Sequence, residues 1–232
     1  MRANALAVMA KAPLPGETKT RLMPALSAED AAELARALLC DQLAHLTAIT
    51  DADLFLAFTP DSARPLFEEL APPAFHLFAQ EGEDLGPRMT NVFEKLHAHG
   101  YRNMVLVGGD LPPVPLEIFA QAFALLNNPR RRVVLGPSRD GGYYLVGCNK
   151  PTPEIFTGMT WSHGEVLAQT MLRISRLAIE SRTLAPWFDI DTVEDLHYLQ
   201  ATLDPELANA AKNCLGVIRR LQRAGRFVSP SR

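Results

Sequence analysis

The sequence predicts an α/β protein built as a three-layer α/β/α sandwich around a mostly parallel, mixed and doubly wound sheet. Two observations lead to this prediction. Short apolar runs recur along the chain without polar–apolar alternation, which is typical of strands that are buried on both faces of a mostly parallel sheet. Amphipathic helical patterns separate these runs, as expected for right-handed strand–helix–strand crossovers.

Apolar runs mark the predicted strands. They are Leu6–Ala10, Leu54–Phe58, Phe75–Phe78, Met104–Val107, Val133–Leu135 and Tyr143–Val146. Each run is followed by residues such as glycine, proline or charged side chains, which are common where a strand gives way to a loop. No linker, internal repeat or change in composition divides the chain, so we expect residues 1–232 to form one domain.

Helix starts are predicted where a capping residue precedes an apolar helical pattern. The predicted starts are Ser27 with Asp30, Ser162 with Glu165, Thr192 with Asp195, and Asp204 with Pro205, which would open the last helix. Proline is favoured at the first helical position because its missing N–H needs no partner there.

The composition excludes several classes of protein. The chain has 232 residues, of which 47% are hydrophobic and 21% charged, and its formal net charge of −3 provides no basic field for nucleic acid. Cys40, Cys148 and Cys214 form no CxxC pair, which argues against a zinc site or a disulfide framework and fits a reducing compartment. No apolar run approaches the roughly 20 residues of a membrane span. We therefore expect a cytoplasmic protein without a membrane span or a nucleic-acid partner.

The first candidate loop follows the first predicted strand. Ligands of open α/β sheets bind beyond the carboxyl ends of the strands, so the loops at these ends carry the candidate functional residues. This loop contains Lys11, Lys19 and Arg21 together with two prolines and a glycine. Cations in a stiff loop suit phosphate groups, and an ordinary surface loop is the alternative. The loop is neither a GxGxxG fingerprint nor a Walker A motif.

An aspartate follows the fourth predicted strand. Asp110 comes directly after Gly108 and Gly109, a position that suits a hard cation such as Mg²⁺ or Mn²⁺. The alternative is that Asp110 caps the next helix, since aspartate is a favoured capping residue.

Three later segments add further candidates. Asp140 lies in an Asp-Gly-Gly sequence that is also typical of a tight turn. Asp189 and Asp191 lie in an extended segment, and we expect their side chains to point in opposite directions, so that only one reaches a metal. Gln80 and the backbone around Gly86 are candidates for contact with a base or ribose, or else belong to a polar loop.

Taken in chain order, these segments resemble the uncharacterised bacterial family numbered 2064 among the domains of unknown function, which belongs to the GT-A-like nucleotide-diphosphosugar transferase superfamily. The matching segments are 9–16, 19–22, 84–89, 109–112, 136–147, 160–162, 166–170 and 189–196, which extend across nearly the whole chain. Family members usually have serine and cysteine at the positions of Gly109 and Leu111, a departure that leaves Asp110 in place. Parts of the same loops also resemble 2-phospho-lactate guanylyltransferase and, more distantly, molybdenum cofactor nucleotidylyltransferases.

The resemblance implies a GT-A-like fold and roles for particular residues. It implies that Asp110 and Asp191 hold Mg²⁺ or Mn²⁺, and that Asp140 orients the acceptor or acts as its base, with Lys19 and Arg21 as further catalytic residues. The implied nucleotide-binding residues are Ala10, Lys11, Lys19, Arg21, Gln80, Gly86, Gly109 and Asp110.

Three activities remain open at this point. The first is a metal-dependent transferase that uses a nucleotide sugar and an unknown small-molecule acceptor. The second is a nucleotidylyltransferase that releases pyrophosphate from a nucleoside triphosphate, for which Lys19 and Arg21 supply additional positive charge. The third is a catalytically silent nucleotide-binding module. The sequence leaves the base, the acceptor and the oligomeric state open, a homo-oligomer being one alternative.

Overall fold

Strands and helices alternate along the chain, which a computed structural model describes for residues 3–226. The strands are β1 (Asn4–Lys11), β2 (Ala52–Thr59), β3 (Phe75–Ala79), β4 (Asn103–Gly108), β5 (Arg132–Pro137), β6 (Tyr143–Cys148) and β7 (Glu180–Thr183). The helices are α1 (Ala28–Leu46), α2 (Arg64–Leu70), α3 (Leu85–Ala98), α4 (Leu116–Leu126), α5 (Val166–Arg176), α6 (Val193–Thr202), α7 (Pro205–Ala210) and α8 (Lys212–Arg223). Among residues 3–226, no helix combines the length and apolar character that a membrane crossing requires.

The strands form one mixed sheet in the order β3-β2-β1-β4-β6-β5-β7. β1 pairs in parallel with β2 and β4, β2 with β3, and β5 with β7, whereas β6 runs antiparallel to β4 and β5. The chain moves outward from β1 through β2 to β3 and then returns to the other side of β1 with β4. Such a reversal of strand order leaves a crevice for a ligand at the carboxyl ends of β1 and β4. The predicted mostly parallel, doubly wound sheet is confirmed.

Two apolar layers cover the faces of this sheet. Leu6 and Val8 of β1 belong to the layer formed with α1, α2 and α4, whereas Ala5 and Ala7 belong to the layer formed with α3 and α5. Because both faces are covered, the central strands are apolar on both sides, which explains their continuous apolar runs. The predicted three-layer architecture is confirmed.

A third apolar cluster joins the C-terminal helices to the first part of the chain. It packs α1 against α6 and α8 through side chains such as Leu38, Leu199 and Ile218. Leu22, which follows the first candidate loop, and Ile190, which lies between the two late aspartates, are both 0% exposed in this cluster. The cluster therefore brings the loop after β1 close to the segment before α6.

Three predicted helix starts are confirmed. The side chain of Ser27 accepts a hydrogen bond from the first turn of α1, and Asp204 does the same for α7. Thr192 and Asp195 form a complete capping box at α6. The helix that Asp204 opens is nevertheless not the last one, because α8 follows it.

The predicted capping box at Ser162 is wrong. α5 begins at Val166 without a side-chain cap, and Ser162 has a left-handed backbone with a φ of 67°. The backbone N–H of Glu165 donates instead to Nδ1 of His163. The segment before α5 is thus a loop that the histidine helps to close.

Candidate active site

Two adjoining pockets open at the carboxyl ends of the parallel strands. The basic pocket, about 230 Å³, lies at the ends of β1, β2 and β3, and its wall includes Lys11 and Arg88. The acidic pocket, about 330 Å³, lies beside β4 and β6, and its wall includes Asp110, Asp140, Asp189 and Asp191. Met9, Leu85 and Asp110 line both pockets, so the two cavities meet at Asp110.

The basic pocket contains most of the predicted nucleotide-binding residues. Those that line it are Ala10, Lys11, Gln80, Gly109 and Asp110. Gly109 lets the loop after β4 approach β1, since a Cβ there would lie only 3.0 Å from the Cβ of Ala10. Thr18 and Arg88 line the same pocket. Arg88 lies in the matching segment 84–89, but the sequence analysis assigned a role to neither residue.

Gln80 joins three strand ends beneath the basic pocket. Its Nε2 donates to the carbonyl oxygen of Ala57 at 2.7 Å and to that of Ala10 at 3.3 Å. Its backbone N–H donates to the carbonyl oxygen of Phe58 at 2.7 Å. These bonds fix the side-chain amide and leave Oε1 as the atom that can accept a hydrogen bond from a ligand. The predicted contact of Gln80 with a base or ribose stays a prediction.

Gly86 lies in the first turn of α3 and lines neither pocket. Its N–H donates to Oδ1 of Asp84, the N-cap of α3, at 2.9 Å. A Cβ on Gly86 would lie 2.9 Å from the carbonyl oxygen of Phe156. The N–H of Gly86 is therefore used within the helix cap, and the predicted contact of the backbone around Gly86 with a nucleotide stays a prediction.

A buried lysine joins the two aspartates that are candidate metal ligands. The Nζ atom of Lys19 lies 2.8 Å from Oδ2 of Asp110 and 3.1 Å from Oδ1 of Asp191, and its side chain is only 2% exposed. Nζ also donates to the carbonyl oxygen of Asp110 at 3.3 Å. A buried ammonium group needs such partners for its three donors. Lys19 therefore contacts carboxylates here, where the sequence predicted that it would point toward phosphate.

The charges of this cluster stabilise one another. Burial lowers the pKa of Lys19, but the negative charges of Asp110 and Asp191 outweigh burial, so the pKa lies above its usual value. The positive charge of Lys19 in turn holds the pKa of Asp110 below its usual value. Arg21 adds a second cation, with NH1 3.3 Å from Oδ2 of Asp191 and a side chain that is 56% exposed. Lys19 and Asp110 are therefore both charged at neutral pH.

Asp110 does not cap the following helix. The N-cap position of α4 is occupied by Pro115, five residues further along the chain. The carboxylate of Asp110 is instead 56% exposed at the junction of the two pockets. Of the two alternatives for Asp110, the structure supports a ligand-facing side chain.

The turn between β5 and β6 brings Asp140 to the acidic pocket. Oδ1 of Asp140 accepts a hydrogen bond from the N–H of Gly142 at 2.9 Å, which closes the turn. Gly141 has a φ of 89°, and a Cβ there would lie 2.1 Å from the carbonyl oxygen of Gly164, so glycine is required. The turn is thereby fixed against the loop before α5, and Asp140 is exposed on the pocket wall.

Asp189 and Asp191 both line the acidic pocket. The prediction that they point in opposite directions is wrong, because residues two apart in an extended segment lie on the same side. Ile190 takes the other side, in the third apolar cluster. Oδ2 of Asp195 accepts hydrogen bonds from the N–H groups of Asp191 and Thr192, so the capping box of α6 holds this segment in place.

Asp189 lines the pocket as well, although the sequence analysis assigned the metal-binding role to Asp191 and no role to Asp189. Its Oδ2 accepts a hydrogen bond from Oγ of Ser138 at 2.8 Å. Burial, together with the negative charges of Asp110 and Asp140, raises the pKa of Asp189 to about 7. The Asp-Ile-Asp spacing was the available signal, because it places both carboxylates on one side of an extended segment.

The opposite wall of the acidic pocket is apolar and aromatic. Tyr143 and Trp161 meet edge to face, with ring centroids 6.5 Å apart. Met89 and Val166 continue this wall, and His163 lies beside them. Pockets with an apolar wall and a few convergent polar groups are typical of small-molecule sites.

The carboxylates fit a hard divalent cation that shares its coordination with a substrate. Oxygens of Asp110 and Asp191 contact the same lysine nitrogen, so one ion can reach both. Mg²⁺ and its analogues are commonly held by one or two carboxylates plus water and substrate phosphates. Within residues 3–226, no three His, Cys, Asp or Glu side chains are arranged to hold a metal by themselves. A cation at this position would therefore depend on the substrate for its remaining ligands.

The chain matches the model of a known protein family. Residues 42–163 match the family described as "Uncharacterized protein conserved in bacteria (DUF2064)", which is more than half of the chain. The chain belongs to this family. No curated protein matches it.

A solved structure supports the same kinship over the full length. A candidate nucleotide-diphospho-sugar transferase from Desulfovibrio desulfuricans G20 is 30% identical to this DUF2064 member, covers 99% of it and is itself covered completely, with a TM-score of 0.88. The fold is thus that of the nucleotide-diphospho-sugar transferases, as the resemblance implied.

More distant structures share the fold alone. Rv0371c from Mycobacterium tuberculosis H37Rv is 15% identical, with a TM-score of 0.55 over 88% of this chain and 100% of its own. It has also been solved in complex with manganese. The 4-diphosphocytidyl-2C-methyl-D-erythritol synthase of Anaerococcus prevotii DSM 20548 is 8% identical, with a TM-score of 0.56 over 86% of this chain and 96% of its own.

Proposed function

We propose that this protein is a divalent-metal-dependent transferase that uses a nucleotide sugar as its donor. The observation that carries the proposal is the meeting of a basic and an acidic pocket at Asp110, beside Lys19 and Asp191. The fold shared with the Desulfovibrio relative supports transferase activity in general. In this proposal the donor binds in the basic pocket and the acceptor binds in the acidic pocket.

The donor nucleotide occupies the basic pocket. Lys11 and Arg88 line this pocket, and charge-assisted hydrogen bonds from lysine and arginine are strong contacts for phosphate oxygens. Ala10 and Gly109 line the same pocket, and Oε1 of Gln80 accepts a hydrogen bond from the base or ribose. The diphosphate then lies toward Asp110, where the pockets meet.

Asp110 and Asp191 would hold Mg²⁺ or Mn²⁺ at this junction. A cation held there would supply positive charge opposite the departing diphosphate. Lys19 and Arg21 lie at the same place and add fixed positive charge. Because the ammonium of Lys19 lies between the carboxylates, it must exchange at least one carboxylate contact for a phosphate contact when substrate binds.

The acceptor occupies the acidic pocket. An acceptor oxygen attacks the anomeric carbon of the donor sugar, the bond between that carbon and the diphosphate oxygen breaks, and nucleoside diphosphate leaves. Asp140 takes the proton of the acceptor hydroxyl through Oδ2, since Oδ1 is bonded within its own turn. Asp189 lies on the same wall.

Nucleotidyl transfer is the second candidate, and the number of cations favours it. Lys11 and Arg88 line the basic pocket, and Lys19 and Arg21 contact the carboxylates Asp110 and Asp191 beside it. A triphosphate carries more negative charge than a diphosphate sugar and would use more of these cations. In this reaction an acceptor oxygen attacks the α-phosphorus, and pyrophosphate leaves.

A thermal-shift panel with product analysis tests the proposal. Nucleoside diphosphates, triphosphates and nucleotide sugars are added with and without Mn²⁺ to the native protein and to Asp110→Asn. The control is Glu154→Gln. Glu154 has an exposed carboxylate that pairs with Arg131 at the amino end of β5, whereas the two pockets lie at the carboxyl ends of the parallel strands. A ligand at 100 times its Kd adds about 2.7 kcal/mol to the unfolding free energy, which gives a clear shift.

The outcomes separate the alternatives. We expect metal-dependent stabilisation by nucleotide sugars in the native protein and in Glu154→Gln, and its loss in Asp110→Asn. Release of nucleoside diphosphate indicates sugar transfer, whereas pyrophosphate indicates nucleotidyl transfer. Binding without either product would leave a silent binding module, and the absence of any nucleotide binding would refute the proposal.

A further inference from the structure

The two pockets of the candidate active site carry opposite charge. Lys11 and Arg88 line the basic pocket, with Asp110 as its carboxylate. The acidic pocket has four carboxylates in its wall and, among the described residues, no lysine or arginine. Lys19 and Arg21 lie nearby, but both already contact carboxylates of that wall. A phosphate group is therefore attracted to the basic pocket and repelled by the acidic one.

The acidic pocket stays negative when a metal is bound. A cation held by Asp110 and Asp191 shares its charge with the diphosphate of the donor. Asp140 and Asp189 form no ion pair with a lysine or arginine in the described part of the chain, and their hydrogen bonds come from Gly142 and Ser138. The negative charge of Asp140 therefore faces the second substrate, together with that of Asp189 in the fraction of molecules in which Asp189 is ionised near pH 7.

The aromatic wall supplies a second kind of contact. Tyr143 and Trp161 present ring surface to the pocket, and Met89 extends it. Nε1 of Trp161 is buried and has no hydrogen-bond partner within residues 3–226. The N–H group is inaccessible from the pocket, so the contact that this wall offers a ligand is the ring surface of the two aromatic side chains.

We propose, as an extension of the proposed function, that the acidic pocket selects an acceptor that has hydroxyl or amino groups beside an apolar or ring-shaped face and has no phosphate or carboxylate. Carboxylates accept hydrogen bonds from hydroxyl and ammonium groups. The same carboxylates reject an anionic competitor, which is a common source of specificity. The aromatic wall binds the apolar face of the accepted molecule.

Three probes with the same alkyl chain and different charge test this inference. They are hexyl β-D-glucoside, hexylamine and hexyl phosphate, titrated in buffer with EDTA so that phosphate cannot bind through a metal. Tryptophan emission reports binding, because Trp161 and Trp187 are the two tryptophans of the chain. The difference between the native protein and Trp161→Phe isolates the signal from the acidic pocket.

We expect the glucoside and the amine to change the emission of Trp161 and hexyl phosphate to bind there at least tenfold more weakly. Replacing both Asp140 and Asp189 with asparagine should reduce the difference in affinity between hexyl phosphate and the other two probes, whereas Glu154→Gln should leave this difference unchanged. Equal binding of all three probes, or no response of Trp161 to any of them, would overturn the inference.

Nucleotide binding, measured in parallel by thermal shift, keeps the two proposals separable. Discrimination between the probes without any nucleotide binding would refute the proposed function and would leave the charge selectivity of the acidic pocket in place. Nucleotide binding without discrimination would refute the acceptor inference alone.

Discussion

Replacing Lys19 with methionine should tighten the binding of Mn²⁺ to the nucleotide-free protein. The ammonium group lies between Asp110 and Asp191 and occupies the position that a cation would take. Methionine keeps most of the buried apolar stem and removes the charge. A metal ion then no longer has to displace a bound cation.

The size of the effect follows from the contacts. A hydrogen bond to a charged group contributes about 1.5–3 kcal/mol, and Lys19 makes two of them to carboxylates, at 2.8 and 3.1 Å. The side chains of Asp110 and Asp191 are 56% and 33% exposed, so water replaces part of each contact when Lys19 is absent. We therefore take the free energy of one such hydrogen bond as the gain in Mn²⁺ binding, which corresponds to a Kd for Mn²⁺ that is roughly 10- to 100-fold lower.

Electron paramagnetic resonance of free Mn²⁺ measures this Kd directly. Lys11→Met is the matched control, because Nζ of Lys11 contacts a carbonyl oxygen, that of Glu17, at 2.8 Å. Lys19→Met should also bind nucleoside diphosphate more weakly while its affinity for the bare nucleoside stays the same. Unchanged or weaker Mn²⁺ binding by a folded Lys19→Met protein would refute the idea that the lysine competes with the metal.

Replacement of Asp140 and of Asp191 by asparagine should have different effects. Asp191→Asn should raise the Mn²⁺ concentration needed for nucleotide binding, whereas Asp140→Asn should keep nucleotide affinity and slow turnover. The reverse pattern in a metal titration would exchange the two roles. Gly141→Ala should lower the unfolding free energy by about 3 kcal/mol or more, because a Cβ there would meet a carbonyl oxygen at 2.1 Å. The control is Gly16→Ala, at a φ of 80° with no atom within 4 Å, which should lower the unfolding free energy by about 1 kcal/mol. Equal losses of the two variants in urea denaturation would contradict this prediction. The raised pKa of Asp189 means that the folded protein keeps a proton that the unfolded chain has lost, so stability should fall as pH rises from about 4 to 7. Asp189→Asn should remove this loss of stability, which amounts to on the order of 4 kcal/mol between pH 4 and 7, in metal-free denaturation, and an unchanged pH dependence would exclude Asp189 as its source.

Much of the fold could be predicted from local sequence patterns, which depend only on residues that are close together in the chain. The buried runs in β1, β2 and β4 were readable because both faces of these strands are covered. β7 was missed because its residues, Glu-Ser-Arg-Thr, are polar and lie at the edge of the sheet. α3 was missed because Gly86 and Pro87 in its first turn resemble a loop, although proline is tolerated where backbone N–H groups lack helical partners.

The site could be predicted only where a loop carries its own signal. Asp110 was identified from the glycines that precede it, and Asp140 from its turn sequence. The contact of Lys19 with Asp110 and Asp191 was not predictable, because it joins three separate loops and depends on the third apolar cluster. Arg88 lies in the matching segment 84–89 but was assigned no role, because the helix that directs its side chain to the pocket was not recognised.

The distance along the chain between Lys19 and Asp191 has a consequence for synthesis. The two residues are 172 positions apart. At bacterial or eukaryotic translation rates of roughly 5–20 residues per second, Asp191 is made about 10–35 s after Lys19. During that interval the first loop cannot adopt its final arrangement, because one counter-charge of its lysine does not yet exist. A nascent chain therefore cannot complete this cluster of charges until Asp191 has been made.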